Sequence, residues 1–229
     1  MWTEQTRSGC VTALLNSKLE GDYFFNRASM SGCPDPTAAA AQIARVFWQK
    51  GLDCYLYDTD DSLAGKGLTQ IDTMYVLKAG RAGRASRTEV VRIGRPLLPV
   101  WIDVFCRSFA VPEWKREVER VVDANFESLE LLLSYRDKTP AGCAALYSKN
   151  GVTGLYCLGI ISQMRRKGLA NDILATAARR SNNLFLQTLG SEELLPFYQK
   201  AGFAVAYTKK IYVLRRANKL KSLKDHAVK

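Results

Sequence analysis

The chain has 229 residues, of which 47% are hydrophobic and 24% charged, and a formal charge of +11 at pH 7. This composition supports a buried core in one large domain or two small ones and excludes wholesale disorder. No apolar run reaches the length of a membrane span, and the N-terminus has no continuous apolar signal region, so a cytoplasmic protein is expected.

The lone histidine, His226, near the very end of the sequence, argues against His-based triads and His metal sites. The six cysteines form no CxxC pair and are expected as small buried hydrophobes in a reducing cytosol, without a disulfide frame or zinc site. The positive charge points to an anionic partner, with a solvated surface as the plainer reading. It gathers at Arg81, Arg84, Arg87, Arg92 and Arg95 and again over Lys209–Lys229.

In chain order, a short helix is expected around Cys10–Leu19 and a strand over Tyr23–Arg27. The turn cluster Gly32-Cys33-Pro34-Asp35-Pro36 follows, with Asp35 or Thr37 as the cap of a helix over Ala38–Lys50 that stops at Gly51. Asp53–Asp58 alternates as a strand, Ser62–Gly67 is a loop or single turn, and Ile71–Lys78 is another strand. Ala79–Ser86 is a Gly- and Arg-rich linker. Beyond it come a strand at Thr88–Ile93, helices over Leu97–Phe109 and Trp114–Phe126, and a hairpin of Leu129–Tyr135 with Gly142–Tyr147 across Asp137-Lys138-Thr139-Pro140.

The most informative stretch runs from Gly154 to Phe203. An apolar strand, Leu155–Ile161, leads into a basic loop, Arg165-Arg166-Lys167-Gly168. A helix follows, with Leu169, Ile173, Leu174, Ala177 and Ala178 on one face. Next come a strand at Leu184–Thr188, a short helix carrying Tyr198 and ending at Gly202, and a strand over Ile211–Leu214. A helix start offers unpaired N–H groups and partial positive charge, glycine permits close approach, and arginine adds charged donors. The loop therefore suits a phosphate or pyrophosphate. Neither a P-loop nor a dinucleotide fingerprint is present.

Arg165-x-x-Gly168-x-Ala170 and Tyr198-x-x-x-Gly202-Phe203, in this order between these elements, resemble the GNAT superfamily of acetyl-CoA-dependent N-acetyltransferases. The resemblance covers Thr88–Arg215. It implies an α+β fold, with a central mixed, mostly antiparallel sheet flanked by helices. The segment from helix 37–50 to the strand at Met74–Leu77 parallels that from helix 168–181 to Ile211–Leu214. This repeat suggests two GNAT-like lobes: a degenerate, non-catalytic one at residues 1–86 and a catalytic one at 87–229.

The resemblance also assigns residues. Leu158, Gly159 and Ile160 would lie along the pantetheine arm of acetyl-CoA, with an N–H near Ile160 polarising the thioester oxygen. Gly159 signals a bulge or a close backbone approach, for a ligand or for packing. Arg165, Arg166, Lys167, Gly168, Leu169, Ala170 and Asn171 would hold the pyrophosphate. Ser191 stands where relatives often carry a cofactor-contacting Asn, with a helix cap as its alternative. Tyr198 would be the general acid, although Pro196 could shift it. Tyr156, Glu127 and Glu130 are acceptor-side candidates.

The implied partners are acetyl-CoA and a small-molecule or protein amine. The absence of an acidic cluster argues against a polycationic acceptor, and no metal or membrane is implied. A CoA-binding pseudoenzyme and a nucleic-acid or acidic-protein binding module on the same fold are the alternatives. The module reading is weakened by the lack of an aromatic–basic stacking pattern.

Overall fold

Val11, Ala13 and Leu15 are buried while Thr12 and Leu14 between them are half-buried, the period of a strand with one face on a core. In the computed structural model, which describes residues 4–17, 23, 26–80 and 88–216, strand β1 (Glu4–Ser8) turns at Gly9-Cys10 into β2 (Val11–Leu15). The helix expected around Cys10–Leu19 is thus corrected. Alternation and β-branched residues prevail over the helical spacing through Leu15, and residues 18–22 lie outside the described set.

Strand β3 (Arg27–Met30) starts where the strand expected at Tyr23–Arg27 ends; residues 24 and 25 also lie outside the described set. Helix α1 (Pro36–Gln49) is capped by Asp35, whose Oδ1 accepts from the Ala38 N–H at 2.9 Å. It buries Ala40, Ile43, Ala44 and Phe47, an i, i+3, i+4, i+7 stripe. Strand β4 is Cys54–Asp58, and β5 is Thr69–Ala79.

Next come β6 (Val90–Arg92), α2 (Leu98–Phe109), entered through a 3-10 turn at Arg95–Leu97, and α3 (Lys115–Ala124). Strands β7 (Leu129–Arg136) and β8 (Thr139–Lys149) form the hairpin, with the turn narrowed to Asp137-Lys138. Then follow β9 (Val152–Ile160), α4 (Leu169–Arg180), β10 (Leu184–Leu189), α5 (Leu195–Lys200) and β11 (Phe203–Leu214). The last strand is far longer than the expected Ile211–Leu214. The linker residues 81–87 and the tail 217–229, including His226, lie outside the described set.

The chain divides into two units, one of Met1–Tyr75, Leu189–Ser191 and Tyr207–Lys229, the other of Val76–Thr188 and Glu192–Ala206. Strands β5 and β11 each give residues to both. In the first unit the strand order is β1-β2-β3-β4-β11. The β3–β4 pair is parallel and the others antiparallel. Helix α1 bridges the parallel pair and packs Ile43 and Phe47 on Val11, Leu15, Ala28, Met30 and Leu56.

In this unit Cys10 and Cys33 form a disulfide, with their Cα atoms 5.2 Å apart. The expectation of reduced cysteines throughout is therefore corrected. Pairing of β2 with β3 brings the hairpin turn to the loop before α1, where the Ser31 N–H meets the Cys10 carbonyl at 3.2 Å. Cys54, Cys106 and Cys143 are buried free thiols and Cys157 is half-buried. Burial pushes the Cys54 and Cys143 thiols well up, and that of Cys157 to about 12.

In the second unit the order is β10-β9-β8-β7-β6. Strands β6 to β9 form an antiparallel meander, and β10 pairs parallel with β9 after the α4 crossover. Trp101 and Ile102 of α2 pack with Leu131, Leu133, Cys143 and Ala145, and the Trp101 indole donates to the Ala144 carbonyl at 3.1 Å. The alternate residues Leu132, Ala144 and Leu146 turn to the other face, where α4 packs across β7, β8 and β9. The expected mixed, mostly antiparallel sheet flanked by helices is present. No helix among the described residues is long and apolar enough to cross a membrane.

Candidate active site

Strand β9 is shaped by two departures from regular pairing. Opposite β8, Gly159 faces Cys143 and Tyr156 faces Ala145, so Cys157 and Leu158 together oppose Ala144. This is a β-bulge, and Cys157 takes a left-handed φ of 55° in it. On the other edge, β9 pairs with β10 only through Thr153, Gly154 and Leu155. From Tyr156 onward the two strands part. The Ile161 N–H points to β8, where it meets the Ala141 carbonyl at 3.0 Å. Backbone groups alternate along a strand, so the Ile160 N–H points the opposite way, to the edge that β10 has left.

The bulge sits earlier than Gly159, and Gly159 has a packing reason of its own. A Cβ there would stand 2.7 Å from the Ser108 Cβ and 2.8 Å from the Phe109 ring, so the last turn of α2 lies directly on β9. Leu158 and Ile160 are half-buried. The Tyr156 ring lies over Gly154, where a Cβ would be 2.5 Å from Cε2.

The loop after β9 is held by its first arginine. The Arg165 Nε donates to the Ile160 carbonyl at 3.1 Å and Nη2 to the Ser108 carbonyl at 2.9 Å. Its N–H donates to the Ser162 carbonyl at 3.2 Å. Arg166 and Lys167 are exposed, and the Lys167 Nζ lies 3.7 Å from the Met164 sulfur.

Gly168 begins α4 with φ 89°, a conformation that suits glycine, and no side chain caps the helix. Its first backbone bond runs from the Asp172 N–H to the Gly168 carbonyl at 3.1 Å. The N–H groups of Leu169, Ala170 and Asn171 therefore point out of the helix end. Leu169 is buried, Ala170 half-buried and Asn171 exposed. Buried Asp172 accepts from the Thr88 hydroxyl at 2.7 Å.

Tyr198 is 7% exposed. Its N–H donates to the Leu194 carbonyl at 3.1 Å, and its ring meets Phe197 and Phe203 edge-on at 5.1 and 6.3 Å between centroids. Pro196 falls in the first turn of α5, where no helical N–H is lost. Burial, and then the charge of Glu192, push the Tyr198 phenol up to about 12. Glu192 is itself held by the Thr188 hydroxyl at 2.8 Å.

The remaining candidates have partners elsewhere. Glu127 is bound by Arg95 at 3.2 Å, and Glu130 by Arg180. Ser191 belongs to the first unit, where its hydroxyl donates to Asp72 Oδ2 at 2.6 Å and its N–H to Oδ1 at 3.2 Å. The second unit thus contains the β9 edge, the basic loop, the α4 N-terminus and Tyr198. Sequence reasoning missed the Ser108–Arg165 clasp, the Cys157 bulge and the Glu192–Tyr198 pair. Gly159, beside the bulge, and Glu192, six residues before Tyr198, were the only sequence signals of these features.

A bulged strand parting from its parallel neighbour, followed by a basic glycine loop and an uncapped helix, has the architecture of an acyltransferase domain. Residues 102–212 match the family model described as Acetyltransferase (GNAT) domain. This region is a GNAT acetyltransferase domain. No curated protein matches the sequence.

Solved structures share the fold over most of the chain. A functionally unknown conserved protein from Staphylococcus epidermidis ATCC 12228 has TM-score 0.70 and 13% identity over 91% of this chain and 92% of that one. A GCN5-related N-acetyltransferase from Kribbella flavida gives 0.63 and 14% over 95% and 91%. A GNAT-family acetyltransferase from Colwellia psychrerythraea gives 0.61 and 11% over 90% and 81%. At these identities the likeness is one of fold.

Proposed function

We propose that the protein is an acetyl-CoA-dependent N-acetyltransferase in which a primary amine attacks the thioester directly. The parting of β9 from β10 ahead of the uncapped α4 N-terminus is the observation that carries this reading. The residues present suit the cofactor. Arg166, Lys167 and the open N–H groups of Leu169, Ala170 and Asn171 can receive a pyrophosphate. The β9 edge from Leu158 to Ile160 can pair with amides along the pantetheine arm.

Acetyl-CoA, when bound, supplies an activated acetyl thioester. The Ile160 N–H stabilises charge at the carbonyl oxygen. Tyr198 keeps its proton at neutral pH, because burial holds its phenol up, and gives it to the departing sulfur. Arg165 positions rather than binds, tying the end of β9 to the end of α2. Since Glu127 and Glu130 are engaged by arginines, the proton of the amine leaves to solvent on the Tyr156 side.

The first unit is a degenerate lobe in this reading. The segment β2-β3-α1-β4 repeats the pairing of β8-β9-α4-β10, an antiparallel pair followed by a helix and a parallel partner. Its helix start is already filled by its own carboxylates. Asp35 caps α1, and Asp60 accepts from the Gly32 N–H at 3.5 Å. Strands β3 and β4 also stay paired through all four residues of β3.

Titration calorimetry with acetyl-CoA tests the proposal. The wild type binds, and Gly168→Glu, which puts a carboxylate where phosphate would sit, does not. An amine screen on the wild type, with Tyr198→Phe beside it, then separates a transferase from a protein that binds CoA without turnover. A folded wild type with no affinity for acetyl-CoA would overturn the assignment.

A further inference from the structure

The face of the first unit's sheet that α1 leaves uncovered carries a rank of polar side chains. Arg7 pairs across to Thr12, Thr12 to Ser29, and Ser29 to Tyr57. Direct cross-strand partners share a face, and this one is opposite to that of Val11, Ala13 and Met30 beneath α1. Tyr57 pairs with Ile211 of β11, and Lys209, two residues before Ile211, lies on the same face. A cavity of about 350 Å³ follows this rank, lined at one end by Arg7, at the other by Lys209, with Thr12, Ser29 and Thr59 between. That volume is at the lower end of small-molecule sites, about 300–1,000 Å³.

Arg7 and Lys209 make the two ends of the cavity cationic. Among the described residues, no carboxylate lies within ion-pair distance of Arg7 or Lys209. Asp58 and Asp60, on either side of Thr59, are taken up by Ser62, Leu63 and Gly32. Arg27 lies 5.2 Å over the Tyr57 ring. Burial, and then the charge of Arg27, hold the Lys209 ammonium below its usual range, a strain that a bound anion would relieve. The wall is also fixed in place, since Cys10, which lines the cavity, is bonded to Cys33.

We infer that this trough is a ligand site for an elongated organic dianion, with a carboxylate held by Arg7 at one end and a carboxylate held by Lys209 at the other. Strands β1 and β11 are separated by four strand spacings, roughly 19 Å between backbones, so the two cations approach the trough from opposite ends. The hydroxyls of Thr12, Ser29 and Thr59 supply hydrogen bonds along the middle. The site is independent of the proposed acetyl transfer and stands or falls separately from it.

Titration calorimetry of the full chain with succinate, glutarate and adipate, beside acetate and inorganic phosphate, tests the inference. One dicarboxylate is expected to bind once per chain, at least tenfold tighter than acetate or phosphate. Arg7→Met and Lys209→Met each weaken it tenfold or more, and Lys209→Arg restores most of the loss. Gly168→Glu leaves dicarboxylate binding intact, which separates this result from the acetyl-CoA experiment. Circular dichroism and thermal unfolding establish that each variant is folded. The inference is overturned if no dicarboxylate binds the wild type, if acetate or phosphate binds equally well, or if folded Arg7→Met and Lys209→Met bind as the wild type does.

Discussion

Arg165 and Ser108, far apart in sequence, are joined by a hydrogen bond of 2.9 Å from the guanidinium to the carbonyl at the end of α2. The same guanidinium holds the last carbonyl of β9 at 3.1 Å. The arginine that opens the signature thus braces the loop, while Arg166 and Lys167 stay exposed, as the proposed pyrophosphate site requires. Arg165→Ala should cost about 1–2 kcal/mol of stability and weaken acetyl-CoA binding through the misplaced loop. Arg166→Ala should weaken binding with little change in stability. Denaturant unfolding beside calorimetry checks both, and equal stability of the two variants would remove the bracing role.

Gly159 and Ser108 define a second contact between the same elements. A methyl group on Gly159 would meet the Ser108 Cβ at 2.7 Å. Gly159→Ala should therefore destabilise the protein by about 1–3 kcal/mol, the usual cost of overpacking. Adding Ser108→Gly removes the opposing carbon and should recover part of that loss beyond additivity. A strictly additive double-mutant cycle would show that the two positions do not press on each other.

These two contacts mark where the sequence ceased to be legible. Periodicity located α1, α2, α4 and nearly every strand of the second unit, because each pairs a buried stripe with a clear break. The spacing of Gly168 and Tyr198 marked the candidate site. It did not reveal that Arg165 is used inward, because Ser108 approaches only through packing of α2 on β9. Nor did it reveal the β1–β2 hairpin, where five residues with Leu at both positions 14 and 15 satisfy strand and helix templates alike. The Cys10–Cys33 disulfide joins segments that only β2–β3 pairing brings together. Ser191 finds its partner Asp72 at a separation of 119 residues.

That Ser191–Asp72 pair makes a pH-dependent contribution. Burial alone would raise the Asp72 carboxyl, but hydrogen bonds from Ser191, Thr73 and Tyr23 outweigh it and hold the group below the usual carboxylate range. A depressed acid stabilises the fold above its unfolded pKa of about 3.9, and that stability is lost as pH falls through the folded value. Ser191→Ala should cost about 1 kcal/mol near neutral pH, and the difference from wild type should shrink in acid. Urea unfolding at about pH 7 and about pH 3 reads the change. A penalty that does not depend on pH would mean that the hydroxyl does not act on Asp72.

Tyr198 carries the opposite sign. Its phenol is pushed up to about 12 by burial and then by Glu192. The stability associated with the neutral phenol is fully present below the unfolded pKa of about 10 and is lost as pH rises through the folded value. Tyr198→Phe has no proton to lose, so its stability should fall less steeply between about pH 10 and pH 12, by an amount on the order of 2–3 kcal/mol. In catalysis the same substitution should lower kcat on the order of 10²-fold or more, with acetyl-CoA affinity retained. Glu192→Gln removes the second cause and should bring the phenol down toward its ordinary value, which ultraviolet titration of the tyrosinate absorbance can follow. If Tyr198→Phe turns over at the wild-type rate, the proton for the leaving sulfur comes from solvent, and the buried phenol serves the packing of Phe197 and Phe203 alone.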